Sequence, residues 1–184
     1  MKKVIVLTGP TAIGKTEYSL AIAKELDTEI INCDASQFRK GLDIGTAKID
    51  LTKTNVVHHL IDIIPIEDDF SIKDFQKIAR EKINVLHEHG KIPLLVGGSG
   101  LYINAVLGDY QLDYAGRDPI FEAQFQNIND FELHAYLETL DSLTAEKIHP
   151  HNRRRVLRAI EASLQGTNIS QNQKGRSLLY DALI

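Results

Sequence analysis

Residues 9–16 read Gly-Pro-Thr-Ala-Ile-Gly-Lys-Thr, and this stretch decides the fold class of the 184-residue chain. It matches the pattern Gly-x-x-x-x-Gly-Lys-[Ser/Thr], which cradles phosphate groups when it lies between a strand and a helix. The sequence supplies that context, because a β-branched run at residues 3–8 comes before the stretch and a helical pattern at residues 15–26 follows it. The alternative is a glycine turn that only starts a helix. Because pattern and context agree, we interpret the stretch as a phosphate-binding loop (P-loop).

Each part of the P-loop has a separate role in holding a di- or triphosphate. Backbone N–H groups converge on phosphate oxygens, and the N-terminus of the following helix adds partial positive charge. Lys15 supplies a full positive charge, and the hydroxyl of Thr16 is the candidate ligand for Mg²⁺. The predicted nucleotide-binding or diphosphate-binding residues are Gly9, Pro10, Thr11, Ala12, Ile13, Gly14, Lys15 and Thr16.

The rest of the chain predicts an α/β fold, a P-loop NTPase-like parallel sheet core with an attached helical segment. Short apolar runs at residues 29–33 and 92–96 are typical of buried strands, and residues 71–89 have the period of an amphipathic helix. After Gly108 the patterns become helical. The predicted organisation is a P-loop α/β core at residues 1–110, a helical segment at 111–165, and a connector with a returning core strand at 166–184.

The composition limits the remaining classes of protein. The chain is 43% hydrophobic and 25% charged, which is ordinary for a globular protein. Its single cysteine, Cys33, excludes an internal disulfide and the usual Cys/His zinc sites. No stretch approaches the roughly 20 apolar residues of a membrane-spanning helix, so we expect a cytoplasmic protein with no membrane partner. Because the net charge is -4, contact with nucleic acid requires a local basic patch.

Asp34 follows the second predicted strand directly. The carboxyl ends of adjacent parallel strands meet at one edge of a sheet, so this carboxylate is expected beside the P-loop. There it can accept a proton from an attacking nucleophile. An aspartate that caps a turn is an equally good interpretation from the sequence alone.

Glycines and histidines near other predicted strand ends have two interpretations each. Gly97, Gly98 and Gly100 indicate either close packing of backbone or a turn that faces a substrate, and the sequence does not favour one of them. His58 and His59 are neighbours in a short apolar segment, and strand neighbours point to opposite faces. We therefore expect a structural role for this pair rather than one shared metal.

Further runs of residues occur in the order that one enzyme family shows. After the P-loop come Asp34-Ala35-Ser36-Gln37-Phe38, Asp43-Ile44-Gly45-Thr46-Ala47-Lys48, His58-His59-Leu60-Ile61-Asp62, Gly97-Gly98-Ser99-Gly100-Leu101-Tyr102, and His149-Pro150 leading to Arg155 and to Arg158-Ala159-Ile160-Glu161. Together these runs, which span residues 4–165, resemble the tRNA dimethylallyltransferases, also called tRNA isopentenyltransferases. The Asp43–Lys48 run is the most specific of them.

The resemblance implies transfer of a dimethylallyl group from dimethylallyl diphosphate to the exocyclic amine of an adenosine beside the tRNA anticodon. Lys15 and Thr11 would act on the diphosphate, Mg²⁺ would bind at Thr16, and Asp34 would accept the proton of the amine. The implied partners are dimethylallyl diphosphate and a tRNA anticodon stem-loop, with the enzyme a monomer. The resemblance implies tRNA contacts at Asp34, Ala35, Ser36, Gln37, Ser99, Arg154, Arg155, Val156, Leu157 and Arg158.

The chain departs from the family pattern at three positions. Ile13 stands where a small Ser is usual, Phe38 where Tyr is common, and Phe121 where many members carry an RNA-contacting Arg. The family also continues well beyond residue 184, so we expect this chain to be part of a longer protein.

Other functions remain open at this point. An adenylate isopentenyltransferase acting on free AMP, ADP or ATP would share the P-loop and Asp34 but would not need the arginines at 154–158. A P-loop small-molecule kinase would use Asp34 to orient an acceptor hydroxyl. A pure RNA-binding module would leave the P-loop unexplained. For the arginines themselves, the alternative to RNA contact is an ordinary solvated helix face.

Overall fold

The computed structural model describes residues 1–109, 118–172 and 177–184 of the chain. Contacts divide the chain into two units, which we treat separately: unit 1 comprises Met1–Tyr110 with Ser177–Ile184, and unit 2 comprises Gln111–Arg176. The end of the predicted connector, residues 173–176, lies outside the described residues.

Unit 1 is built on a five-stranded sheet in which every pair of neighbouring strands is parallel. The strands are β1 (Lys3–Thr8), β2 (Ile30–Asn32), β3 (His58–His59), β4 (Leu94–Gly97) and β5 (Asp181–Leu183). Their order across the sheet is β3-β2-β4-β1-β5. The central pairs align Thr8 with Gly97 and Asn32 with Val96, so three strands end at the same level.

Helices cover both faces of this sheet. The helices of unit 1 are α1 (Lys15–Glu25), α2 (Ile72–Glu88) and α3 (Gly100–Leu107). Successive strand residues point to opposite faces. Accordingly Val4 and Val6 share a buried cluster with residues of α2 and α3, whereas Ile5 and Leu7 pack in a second cluster with Ala23 of α1. Burial on both faces explains why the strands read as continuous apolar runs.

The local sequence fixes the ends of α2. The hydroxyl of Ser71 accepts a hydrogen bond from the Asp74 backbone N–H (3.2 Å), and the Asp74 carboxylate accepts one from the Ser71 N–H (2.9 Å). This reciprocal pair is a capping box. At the other end Gly90 has a φ of +74°, a left-handed conformation that stops a helix at little cost to glycine.

Unit 2 is helical in its described part. Its helices are α4 (Pro119–Ala123), α5 (Asp130–Leu140), α6 (Ser142–Ala145), α7 (Arg153–Leu164) and α8 (Ile169–Asn172). Leu133 and Leu137 of α5 pack against Val156 and Ile160 of α7 in a separate buried cluster. The buried carboxylate of Asp141 caps α6 and also accepts a hydrogen bond from the Ser170 N–H (3.1 Å). Unit 2 therefore has a core of its own.

The predicted fold class is confirmed, and the differences lie in short elements. In the short apolar segment that begins at His58, only His58–His59 form a strand, because left-handed conformations at Leu60 and Asp62 turn the chain. The sequence did not indicate α4, α6 or α8, which are too short to show a period. Within the described ranges, no helix has the length and apolarity needed to cross a membrane.

Close packing explains one glycine of the Gly97–Gly100 turn. A Cβ atom at position 97 would lie 2.6 Å from the backbone carbonyl carbon and oxygen of Cys33. Such a contact requires the backbone of β4 or β2 to move. A Cβ at Gly100, in contrast, would meet no atom within 4 Å.

We therefore expect Gly97→Ala to lower the free energy of unfolding by about 1–3 kcal/mol, the usual cost of overpacking a dense interior. Gly100→Ala, at the first position of α3, is the matched control and should show no loss. Urea unfolding of both variants measures the difference. Equal stability of the two variants would show that β2 and β4 do not approach as closely as described.

Candidate active site

The P-loop leaves the start of α1 without a side-chain cap. The N-cap residue is Gly14, with a φ of +90°, and no side chain bonds to the first N–H groups of the helix. By contrast, α2, α4, α5, α6 and α7 each donate a backbone hydrogen bond to the side chain of a Ser, Asp or Asn cap. Because unpaired N–H groups at a helix start bind anions, α1 is prepared for a phosphate group.

The side chain of Lys15 lies within the P-loop. Its ammonium donates hydrogen bonds to the carbonyl oxygens of Gly9 (2.9 Å) and Pro10 (2.5 Å). Thr11 and Ile13 are exposed on the same loop, and Ala12 has a left-handed φ of +69°. The loop therefore presents its backbone, one ammonium and the Thr11 hydroxyl toward solvent.

A second uncapped helix begins beside the P-loop. Helix α3 follows β4, the immediate neighbour of β1, and its N-cap residue Ser99 makes no side-chain capping bond. Since Thr8 pairs with Gly97, the turns after β1 and β4 leave the sheet at the same level. The Ser99 hydroxyl, expected to contact tRNA, is thus half-buried beside a helix start with no cap.

A cavity of about 60 Å³ joins the P-loop to the end of β2. It brings together Lys15 and Thr16 with Asp34 and Gln37. Asp34 thus lies beside the P-loop as expected, although β1 and β2 are not adjacent strands, because β4 lies between them. Its lining consists of Lys15, Thr16, Ser19, Ile30, Asn32, Asp34, Gln37, Ala47, Ile49, His58, Ile61, Val96 and Gly97.

Asp34 caps a turn and also lines the cavity. Its Oδ1 atom accepts hydrogen bonds from the Ser36 N–H (3.0 Å) and from the Ser36 hydroxyl (2.6 Å), which caps a 3₁₀ turn at Ala35–Phe38. Asp34 is half-buried and also lines the cavity. The cap fixes one carboxylate oxygen, and the other, Oδ2, accepts no hydrogen bond from the described residues. The capping role therefore orients a carboxylate that still has an acceptor to offer.

Asn32 is a site residue that the sequence analysis missed. Its buried amide nitrogen donates to the carbonyl oxygens of Leu60 (2.9 Å) and Asp34 (3.2 Å), and its Oδ1 accepts from the Asp34 N–H (3.1 Å). These bonds tie the backbone of Asp34 to the turn that follows β3. The available signal was a polar residue inside the apolar run Ile30-Ile31-Asn32-Cys33.

The other residues of the 34–38 run have structural partners. Ala35 packs against the core, and Gln37 donates from its side-chain amide to the Thr46 carbonyl oxygen (3.0 Å). Phe38 is buried and stacks on Phe75 with a ring-centroid distance of 5.1 Å. A tyrosine hydroxyl at position 38 would have to be buried in this aromatic cluster, which favours the observed phenylalanine.

The two adjacent histidines have different surroundings. His59 contacts the carboxylate of Glu29 (2.7 Å), and Lys91 donates to the same group (2.9 Å). Burial raises the pKa of Glu29, but the hydrogen bonds from Lys91 and His59 outweigh it and leave that pKa below its usual value. His58 instead lines the cavity, and burial lowers its pKa. Because its Nδ1 atom faces the Val56 carbonyl oxygen (2.8 Å), the neutral ring carries its proton on Nδ1.

The residues at the cavity suit a magnesium ion that arrives with a phosphorylated ligand. Within the described residues no cluster of three or more His, Cys, Asp or Glu side chains forms a cage for a metal. Mg²⁺ is commonly held by one or two protein oxygens together with phosphate oxygens and water. Thr16 lines the cavity, and its hydroxyl can supply one such oxygen.

In unit 2 the arginines of α7 fall into three groups. Arg153 is structural, because it donates to the carbonyl oxygens of Ile128 (2.8 Å) and Phe125 (2.5 Å) and to the carboxylate of Asp130 (3.0 Å). Arg154 and Arg155 are exposed at the start of the helix. Arg158 forms an ion pair of 2.8 Å with the buried carboxylate of Glu161.

Two of the expected RNA-contacting positions are buried. Val156 has no exposed surface and Leu157 is 6% exposed, because α7 packs this face against α5. Their side chains belong to the core, so the exposed side chains of residues 154–157 are those of Arg154 and Arg155. Phe121 is also structural, with its ring 5.0 Å from that of Phe125.

Comparison with known proteins gives matches over nearly the whole chain. A family model described as IPP transferase matches residues 37–184. A tRNA dimethylallyltransferase of Bacillus subtilis is 46% identical, with 98% of this chain and 60% of the relative covered. One from Anoxybacillus flavithermus is 47% identical, with 100% and 60% covered. The latter alignment includes the P-loop and Asp34, which precede the family-model match.

Two solved structures are also similar. A tRNA delta(2)-isopentenylpyrophosphate transferase of Staphylococcus epidermidis is 37% identical with a TM-score of 0.60, covering 100% of this chain and 62% of that one. A eukaryotic dimethylallyltransferase acting on tRNA is 28% identical with a TM-score of 0.85, covering 100% and 47%. The chain spans about 60% of the length of the curated relatives it matches.

Proposed function

The chain belongs to the IPP transferase family, and from this premise we propose that its protein transfers a dimethylallyl group from dimethylallyl diphosphate to tRNA. The acceptor is the exocyclic amine of an adenosine beside the anticodon, and diphosphate leaves. One observation supports this most strongly: Asp34 lines the same cavity as Lys15 and Thr16 of the P-loop. A proton acceptor and the residues that bind the diphosphate would then lie at one reaction centre.

The P-loop would carry the leaving group. As the allylic C–O bond breaks, negative charge builds on the diphosphate oxygens. The uncapped N–H groups of α1 and the ammonium of Lys15 are already fixed in place to stabilise that charge. Thr11, exposed on the loop, would contact the diphosphate with its hydroxyl.

Asp34 would serve the nucleophile. The lone pair of the adenine amine is delocalised into the ring, so the amine attacks poorly until its proton is removed. As the new C–N bond forms, that proton passes to the Asp34 carboxylate, whose orientation Ser36 fixes. The products are the alkylated amine and diphosphate, with the proton on Asp34.

Thr16 and the diphosphate would hold Mg²⁺. The ion would neutralise charge on the leaving group. The hydroxyl of Thr16 is exposed at the start of α1, which leaves it accessible to such an ion.

Exposed arginines of α7 support tRNA as the acceptor. Arg154 and Arg155 lie in the first turn of the helix, where the helix dipole adds to their positive charge. Phosphate contacts of this type position RNA without reading its sequence. An enzyme acting on free adenylate would not need them.

The first experiment separates tRNA from a free nucleotide as the acceptor. The intact protein is incubated with labelled dimethylallyl diphosphate and either an anticodon stem-loop or AMP. We expect label on the stem-loop and none on AMP. Label on AMP alone would identify a free-adenylate enzyme, and label on neither would reject prenyl transfer.

The second experiment tests Asp34 as the proton acceptor. Asp34→Asn keeps the hydrogen-bond acceptor that caps the 3₁₀ turn but removes the basic carboxylate. We expect turnover to fall by a factor on the order of 10² to 10⁴ while pyrophosphate affinity, measured by calorimetry, stays the same. The control is Asp50→Asn, a matched change at an exposed aspartate that caps the 3₁₀ turn at Leu51–Lys53. Unchanged turnover in Asp34→Asn would remove Asp34 from this role.

The third experiment tests α7 as an RNA-binding surface. Replacing Arg154 and Arg155 together by Gln should weaken stem-loop binding and reduce the slope of log affinity against log salt by about 1 to 2. Lys24→Gln with Lys77→Gln, both exposed residues of unit 1, changes the net charge equally and serves as the control. The same slope in both double variants would return Arg154 and Arg155 to an ordinary solvated surface.

A further inference from the structure

Lys48 is a buried lysine that directly follows Ala47, a residue of the cavity lining. The ammonium of Lys48 donates to the carboxylates of Asp43 (2.9 Å) and Asp62 (2.6 Å) and to the carbonyl oxygen of Arg39 (2.9 Å). Its side chain is only 5% exposed. All three donors of the ammonium are thus used, and they join the loop at residues 39–48 to Asp62.

These contacts are made by a group that is charged. Burial disfavours the protonated form of Lys48, but hydrogen bonds from the ammonium to Asp62 and Asp43 outweigh that effect and raise the pKa of Lys48. Asp43 and Asp62 remain 68% and 40% exposed, so water can solvate them if the lysine is removed. The loss of Lys48 should therefore loosen the local structure rather than unfold unit 1.

Both segments that Lys48 joins contribute a residue to the cavity. Ala47 precedes Lys48, Ile61 precedes Asp62, and both line the cavity beside Asp34. Gln37 makes a parallel connection, since its side chain donates to the Thr46 carbonyl oxygen and its backbone carbonyl accepts from the Asp62 N–H (3.1 Å).

Two residues of these segments, Ala47 and Asp62, have a backbone conformation that needs support from surrounding contacts. Ala47 has a φ of +49° and Asp62 a φ of +54°, both in the left-handed region that residues other than glycine rarely adopt. Such conformations cost free energy and persist only where surrounding contacts impose them. The ion pair joins Asp62, one of these positions, to Lys48, the residue that follows the other.

We propose that Lys48 is a positioning residue, which fixes the wall formed by Ala47 and Ile61 so that the acceptor base is oriented toward Asp34. This inference rests on the proposed function. Lys48 contacts no residue of the P-loop in the hydrogen bonds and ion pairs described. Binding of the diphosphate should therefore not depend on Lys48, whereas the chemical step should.

The test measures kcat and KM for dimethylallyl diphosphate at saturating stem-loop. Lys48→Met keeps the apolar stem and removes the charge, and we expect kcat to fall about 10- to 100-fold because small displacements of reacting groups have effects of this size. The KM for dimethylallyl diphosphate and the affinity for pyrophosphate should stay within about twofold. Lys48→Arg, which retains the charge and several donors, should recover most of kcat.

Two further variants keep the test decisive. Lys53→Met removes a lysine that is 81% exposed and paired with Asp50 (3.0 Å), and it should leave kcat unchanged. Asp62→Asn removes the charge at the other end of the connection. Because Asn tolerates the left-handed region, this variant should fold and lower kcat as Lys48→Met does, even if Lys48→Met is unstable.

The outcomes distinguish this inference from the proposed function. If the unmodified protein labels no acceptor, the proposed function itself fails. If it is active, a kcat of Lys48→Met or Asp62→Asn within twofold of Lys53→Met overturns the positioning role. An equal change in kcat and in the KM for dimethylallyl diphosphate also overturns it, because that result indicates a general structural defect.

Discussion

The parallel pairing of β1, β4 and β2 is the constraint on which the site depends. Parallel strands end at the same edge of a sheet, so the loops that follow them must share one crevice. Here these loops are the P-loop, the glycine turn after β4 and the Asp34 turn. The short distance between β4 and β2 adds to this, since Gly97 leaves no room for a side chain against Cys33.

The helices that begin at the site differ from the other helices in how their first N–H groups are hydrogen-bonded. Side chains cap α2, α4, α5, α6 and α7, whereas α1 and α3 have none. A helix start without a cap leaves N–H groups without a protein partner. The two starts follow neighbouring strands, so their partial positive charges lie at one edge of the sheet. The positive groups available to an anion at this edge are therefore the backbone N–H groups of both helix starts and the ammonium of Lys15.

The sequence could predict the parts of the site that depend on local pattern, but not the strand order, in which β4 lies between β1 and β2. The P-loop, Asp34 and the sheet class follow from such patterns. It could not show that Asp34 both caps a turn and faces the cavity, since that requires the position of Ser36. Nor could it show which face of α7 is buried at Val156, or that His58 and Asn32 line the cavity. These features arise from contacts between segments that are distant in the chain.

The central claim is that the Asp34 carboxylate faces the diphosphate that the P-loop binds. A crystal structure of the intact protein with pyrophosphate bound tests it most directly. In the reacting complex the Asp34 carboxylate accepts a hydrogen bond from the adenine amine, and the amine lies at a near-attack distance from the allylic carbon attached to the diphosphate. These distances together place the Asp34 carboxylate about 6 to 8 Å from the nearest diphosphate oxygen, with the anion on the amides of Gly14–Thr16. A diphosphate bound elsewhere, or an Asp34 carboxylate turned away at more than about 12 Å, would contradict the account.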